Sequence, residues 1–531
     1  MSISDKIVDY VNRYLYLSTL LFSTVFFVVS AIALPIRFEE NDDVVMLLFA
    51  SGQYTGTPEF RLVFINSVFG FLLSGLYSIT KGIEWYSMLF SIFHILSLSI
   101  ILWAIIKQNT FFIWKVVFVS FFLVLETRFI AQFQFTTTAS ILALAGLIQF
   151  SFNSKMNKVI GLTLLVISSL VRFEACMLVI TLFIPLLLKK YIEEKKYKEI
   201  KYISFAIAAI FLLYGVNYLT YQTDNEWAAY YQYNKIRGEI NDNPNSQKIL
   251  NNLPSTVEKV DYDLLVSFFP DYGKMNLEKI KLIEKSIDNV SFKSKFKNIY
   301  PSFRNHTQII LIILFLSLVL CLKNKKSNYL FILLSLFIFI FIATLISLSG
   351  TLKLRVLLSA VSVLVYSLFV LSNNAKPNIL NIAAVLLVAY LSVLLTDRTK
   401  NIVIKNNSWE ATHFHTQKEM IEDYSKNNNQ ILIPFASSLS VEYYPVFNVS
   451  KEIKENSLSL GGWLTGIPYN KEKVFTHLDL INKNAIFVSN ESFNFVAGKL
   501  KENYKINYGI DASILIEFEN EKYIIFKIVK Q

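Results

Sequence analysis

LSTLLFSTVFFVVSAIALPI (residues 17–36) runs for twenty residues without a charge and leads directly into RFEENDDVV (37–45). A soluble core helix would interrupt such a run with a polar residue every third or fourth position. Instead, the run has the length needed to cross a bilayer, roughly 20 residues. Comparable stretches recur as LFILLSLFIFIFIATLISLSG (330–350) and NIAAVLLVAYLSVLLT (381–396). With 53% hydrophobic and 17% charged residues among 531, and a mean hydropathy of +0.44, the chain reads as an α-helical polytopic membrane protein. Ala31 and Ala33 imitate a signal-cleavage site, but the apolar run is longer than a signal peptide's core, so it reads as an uncleaved anchor.

The formal charge of +11 is concentrated in short segments between apolar runs, such as KKYIEEKKYKEIK (189–201) and KNKK (323–326). That is the positive-inside pattern and marks these segments as cytoplasmic. No basic aromatic groove accompanies the charge, which argues against nucleic acid as a partner. Cys176 and Cys321 both lie in apolar runs and form neither a disulfide framework nor a metal-ligand spacing. The absence of a P-loop, a GxSxG and a dinucleotide fingerprint argues against nucleotide-driven transport and serine-hydrolase chemistry.

Apolar segments lie near 15–36, 61–80, 84–106, 111–127, 136–152, 158–171, 174–188, 202–221, 306–322, 327–348, 354–371 and 378–395. If all crossed, the N-terminus and 189–201 would not share the cytoplasmic side. The segment 61–80, with Arg61 and Asn66, is therefore expected to lie in the membrane interface. This leaves about eleven spans, with the N-terminus cytoplasmic and the C-terminus outside the cell (cytoplasmic or inner) membrane. The expected division is a transmembrane module over 1–221, including an acidic external loop (37–60) and the interfacial helix (61–80). A large external subdomain (222–305), further spans (306–395) and an extracytoplasmic domain (396–531) follow. In that last region QILIPFA, NAIFVSN, ILIEFE and KYIIFKIV alternate as strands, while ESFNFVAGKLKENY reads as a helix. A small α/β domain is expected there.

The first external loop puts Glu39, Glu40, Asp42 and Asp43 within five residues. Asn41 can cap a helix whose first turn carries the acids, which suits the helix dipole. The same carboxylates can serve as a general base or cation ligands. Tyr54 follows in the turn-rich GQYTGTP. Arg128, Arg172, Glu174 and Arg355 sit where apolar helices turn on the external side, and charges so close to hydrocarbon usually mark a pathway or a binding site. Acids and arginines on one membrane face suit a reaction in which a phosphate-bearing lipid leaves and a hydroxyl attacks. HFH at His413 and His415 has no third ligand nearby and reads as a polar surface pair; His94 reads as a hydrogen-bonded helix residue.

On these residues the chain resembles the GT-C class of membrane glycosyltransferases, which use polyprenyl-phosphate-linked sugars. The resemblance spans roughly 10–395 and rests on the acidic pair Asp42/Asp43, the segment 61–80, LVRFEA at Arg172 and LKLRVLLSAV at Arg355. DDVVMLLFASGQYTGTPEFRLVFINSVFGFLLSGLY and YQYNKIRGEIND, with Arg237 and Asp242, look like bacterial membrane proteins associated with surface-polysaccharide genes. The chain departs from the class in having TPEF in place of a proline-rich "PPL", and Val356 after Arg355 where a tyrosine is usual.

The resemblance implies an inverting transfer of a sugar from a polyprenyl-phosphate carrier to an extracytoplasmic glycan or lipid acceptor. Asp42 or Asp43 would be the base. Arg172, Arg355 and Arg128 would meet donor phosphate, and Glu39, Glu40, Glu174, Tyr54, Arg237 and Asp242 the substrates. No metal ligand is assigned and no cofactor is certain, although some members use a divalent cation (Mg or Mn). The alternatives are a surface-polysaccharide polymerase or ligase, and a flippase or transporter, for which no internal repeat speaks.

Overall fold

The computed structural model describes residues 3–194, 200–243, 246, 253–288, 296–297, 299–323, 326–372, 379–407, 432–434, 443–448, 461–483, 485–489, 493–519 and 524–531. His413 and His415 lie outside them. The chain is a mostly helical, multi-span membrane protein with a small C-terminal region containing strands. The first half runs α1 (Ile3–Ala33), β1 (Arg37–Phe38), α2 (Asn41–Ser51), α3 (Ser67–Ile79), α4 (Trp85–Lys107), α5 (Phe112–Ala131), β2 (Gln132–Phe133), α6 (Phe135–Phe150), α7 (Lys155–Val171), α8 (Phe173–Glu194) and α9 (Ile200–Gln222). The segment after α9 supplies α10 (Asn225–Asn241), α11 (Lys259–Val266), α12 (Leu277–Asp288) and α13 (Ile299–Arg304). Next come α14 (Thr307–Lys323), α15 (Lys326–Ser349), α16 (Leu354–Leu371) and α17 (Ile379–Asn406). The last region holds β3 (Leu432–Pro434), α18 (Pro468–Lys473), α19 (His477–Asn482), β4 (Ile486–Ser489), α20 (Phe493–Tyr508), β5 (Ala512–Glu519) and β6 (Ile524–Lys530).

Among the described residues seven helices are long and apolar enough to cross a membrane, and Ser67–Ile79, Phe135–Phe150 and Thr307–Leu322 are shorter apolar helices. At 13 residues, α3 is about 20 Å long, well short of a hydrocarbon core of ~30 Å. It turns Phe71, Leu72 and Ile79 outward and buries Phe69, Leu73 and Tyr77. The helix expected to end at 395 continues to Asn406; TDRTKNIVIKN carries no Gly or Pro to break it.

Small residues set the closest helix crossing. A Cβ on Gly161 would stand 2.6 Å from the Gly146 carbonyl oxygen and 2.5 Å from the Phe150 nitrogen, so α6 and α7 pack backbone to backbone, as membrane helices with facing glycines do. His94 on α4 is fully buried and hydrogen-bonded, with Nδ1 2.8 Å from Glu126 Oε1 on α5 and Nε2 3.0 Å from Thr138 Oγ1 on α6. The three helices that frame the site are thereby tied together within the membrane body.

In the C-terminal sheet the order is β3-β4-β6-β5, with β3 and β4 parallel and the other pairs antiparallel. Helix α20 falls between β4 and β5 where the alternation pattern placed it. One hydrophobic core joins this sheet to the segment 222–305: Val260, Leu264 and Phe269 pack with Phe487, Leu500, Tyr504 and Phe526. Buried polar contacts reinforce the joint. Tyr508 donates its hydroxyl to Asp271 at 2.6 Å, and Asn507 donates to Asp261 at 2.7 Å. The segment 222–305 and the tail therefore share a core, although hydropathy separates them.

Candidate functional site

Several contacts hold the acidic loop after α1. Pro35 follows α1, and β1 pairs in parallel with β2, Arg37 against Gln132 and Phe38 against Phe133. The Glu39 N–H donates to the Phe133 carbonyl at 3.0 Å. From the far end of α17, Asn406 Nδ2 donates to the carbonyls of Pro35 (2.8 Å) and Ala131 (3.1 Å). Loop, α5–α6 corner and α17 are therefore tied to one another. The helix cap expected at Asn41 falls one residue earlier, on Glu40, whose side chain makes no capping bond and instead meets Arg355.

The four carboxylates have four different surroundings. Asp43 is fully buried; its Oδ1 accepts from the Tyr86 hydroxyl (2.8 Å) and the Phe135 N–H (3.0 Å), and its Oδ2 has no hydrogen-bond partner among the described residues. Burial pushes its pKa well above the usual carboxylate range, against the pull of these two donors. Asp42 is half-buried and accepts from the indole N–H of Trp463 at 2.8 Å. Burial raises its pKa as well; the Trp463 bond, Arg355 and Arg172 act the other way, and Glu40 adds to the rise. Glu40 forms an ion pair with the Arg355 guanidinium. Glu39 is raised by burial, opposed by Arg355 and Arg128.

Beside them lies a small cleft lined by Glu39, Arg128, Gln132, Thr137, Arg355 and Leu358. Arg128 is 6% exposed and its Nη1 has no hydrogen-bond partner among the described residues. A buried guanidinium with an unused N–H beside a cleft can donate to an anionic oxygen.

Arg172 caps α7; its Nε pairs with Glu174 at 2.9 Å and its Nη1 donates to the Phe64 carbonyl at 3.2 Å. Its charge reaches Asp42, but Glu174 itself points to the surface, with 66% of its side chain exposed. Arg237 is buried and donates twice to Asn234 Oδ1, at 3.1 and 2.9 Å. Burial lowers its pKa, while Tyr230, Tyr233, Asp242 and Asp42 act to raise it. Asp242 closes the end of α10, and the Tyr54 hydroxyl turns away to donate to Asn470 Oδ1 at 2.9 Å.

The structure thus gathers Glu39, Glu40, Asp42, Asp43, Arg128 and Arg355, with Arg172 and Arg237 in electrostatic reach of Asp42. Glu174, Tyr54 and Asp242 serve other contacts. The acids do not converge on a shared point. One faces Tyr86 and Phe135, one Trp463, one Arg355 and one the cleft. Among the described residues no group of three or more His, Cys, Asp or Glu is placed to hold a metal ion.

The sequence reading missed the C-terminal contribution. Trp463 donates to Asp42, and the Tyr469 hydroxyl donates to the buried Glu59 at 2.7 Å. In LGGWLTGIPY (460–469) the glycines signal a tight turn, but nothing local connects it to a loop some 420 positions earlier.

No family model matches the chain, and no curated protein does. Among solved structures, the crystal structure of ArnT from Cupriavidus metallidurans in the apo state is similar over 98% of each chain, at 12% identity and a TM-score of 0.40. A likeness that loose gives no residue-by-residue correspondence.

Proposed function

We propose that this protein moves a sugar from a polyprenyl-phosphate carrier to an extracytoplasmic glycan or lipid acceptor, with inversion at the anomeric carbon, in the manner of the GT-C class. The observation that carries the reading is a half-buried carboxylate, Asp42, close along the chain to Glu39, which lines a cleft with Arg128 and Arg355. Asp42 takes the proton of the attacking acceptor hydroxyl. The hydroxyl oxygen bonds to the anomeric carbon as the bond from that carbon to the phosphate oxygen breaks. The lipid phosphate leaves with the electron pair, held by the two guanidinium groups. Asp42 suits the role better than Asp43, which is sealed from any acceptor and held by Tyr86 and Phe135.

The raised pKa of Asp42 fixes the sign of a pH effect. A base acts when deprotonated, so transfer is expected to fall as pH drops, with the acid limb centred above the ordinary Asp value of about 3.9. Initial rates in membrane vesicles between pH 4 and 8 measure it. A limb at or below the ordinary value would remove Asp42 from the role.

The reading also requires the proposed eleven-span topology in the cell membrane, with the first loop and the tail outside. Cysteine introduced at Thr80 should react with an impermeant maleimide from outside intact cells, and cysteine at Lys107 should not. Labelling at both sites would refute the topology.

The decisive comparison is surface glycan from cells with wild-type protein, with none, and with Asp42→Asn. Loss of one sugar per repeat without the protein, not restored by Asp42→Asn, supports the transferase. Shortened chains of intact repeats favour a polymerase or ligase. Unchanged glycan favours a transporter.

A further inference from the structure

We infer that the C-terminal domain completes the site by supplying Trp463 as the positioning residue of Asp42; this rests on the reading of Asp42 as base. The indole sits edge-on to Phe49 (centroids 5.8 Å apart) and to Phe64 (5.5 Å), and its N–H donates to Asp42 Oδ1 at 2.8 Å. Trp463 is 7% exposed, so the donor has little access to water as an alternative partner.

The loop is built to aim that ring. Gly461 and Gly462 have φ of 116° and 54°, values that side chains rarely allow. The Gly462 N–H donates to the Phe268 carbonyl at 2.6 Å. The Trp463 carbonyl accepts from the Tyr230 hydroxyl at 2.7 Å. Backbone on both sides of the indole is therefore tied to the external segment, which in turn shares a core with the C-terminal sheet.

A phenylalanine would fill the same aromatic slot, but it has no donor. The bond from Trp463 holds one carboxylate oxygen and favours the ionised form, opposing the burial that raises the group. Oδ2 is left to face the acceptor. Packing alone would need the ring; positioning needs the N–H.

The test uses full-length protein in nanodiscs and reads Asp42 directly. A hydrophobic carbodiimide modifies protonated carboxyls, and mass spectrometry of the Asp42 peptide follows its rate against pH. In Trp463→Phe the midpoint is expected to move to higher pH, with labelling near neutrality about tenfold faster, the size set by losing one hydrogen bond to a charged group. Transfer in cells should fall, with its acid limb displaced the same way. A wild-type labelling profile in folded Trp463→Phe would overturn the inference.

Should that variant fail to fold, Tyr230→Phe frees the loop without touching the indole and should shift the midpoint in the same direction; no shift there overturns the inference too. The labelling result stands apart from the catalytic reading. If Asp42→Asn transfers sugar normally, the base assignment falls, while the labelling profile still decides whether Trp463 sets the state of Asp42.

Discussion

Asp42→Asn is expected to reduce sugar transfer by a factor on the order of 10²–10⁴, the usual contribution of a positioned base, while Asp43→Asn retains most activity. The contrast follows from the two environments. Asp42 is half-buried and its partner Trp463 uses one oxygen. Asn at 42 can still accept from the indole, so the fold persists while the proton acceptor is lost. Asp43 is fully enclosed, burial favours its neutral form, and Asn imitates its shape. Its carbonyl oxygen can keep the bonds from Tyr86 and Phe135. Asp43→Leu is a different matter: it orphans both donors, at a cost of about 1–3 kcal/mol each, and should lower the melting temperature of the purified protein. If Asp43→Asn is dead and Asp42→Asn active, the roles are reversed.

Arg355→Ala is expected to cost a comparable factor, roughly 10² or more, because it removes a guanidinium from the phosphate side of the reaction and leaves Glu40 unpaired beside the cleft. Arg355→Lys should recover only part of the loss, since an ammonium cannot offer two parallel donors to Glu40 or to a phosphate. Arg128→Ala should resemble Arg355→Ala in direction, and the double variant should lose less than the product of the two losses if both bind one phosphate group. Initial rates with donor varied, in vesicles carrying each variant, separate weaker donor binding from a slower step. Wild-type kinetics in both single variants would place the donor elsewhere.

The charge pattern grouped these arginines on one expected membrane face before any coordinates did, and the resemblance then matched Arg172 and Arg355 to family motifs. It matched no motif to Arg128, and here packing decides differently. Arg172 is occupied by Glu174 and the Phe64 carbonyl, whereas Arg128 keeps an unused N–H beside the cleft. Sequence shows that a charge lies near hydrocarbon; it does not show which neighbour consumes it.

By itself the sequence determined the multi-span helical body, an apolar helix within 61–80 that the structure confines to Ser67–Ile79, and the strand and helix order of the tail. Hydropathy over twenty residues and alternation over six are properties of consecutive positions, so they can be read along the chain. Only the tertiary structure decided which acid of the Asp42–Asp43 pair is reachable, and that Trp463 reaches it. Neighbouring residues one helical step apart project in directions about 100° apart, so one faces the Tyr86–Phe135 wall and the other the C-terminal domain. A carboxylate's burial and proton affinity are set by groups brought beside it from α4, α6 and a loop more than 400 residues away, and those distances close only when the helices pack.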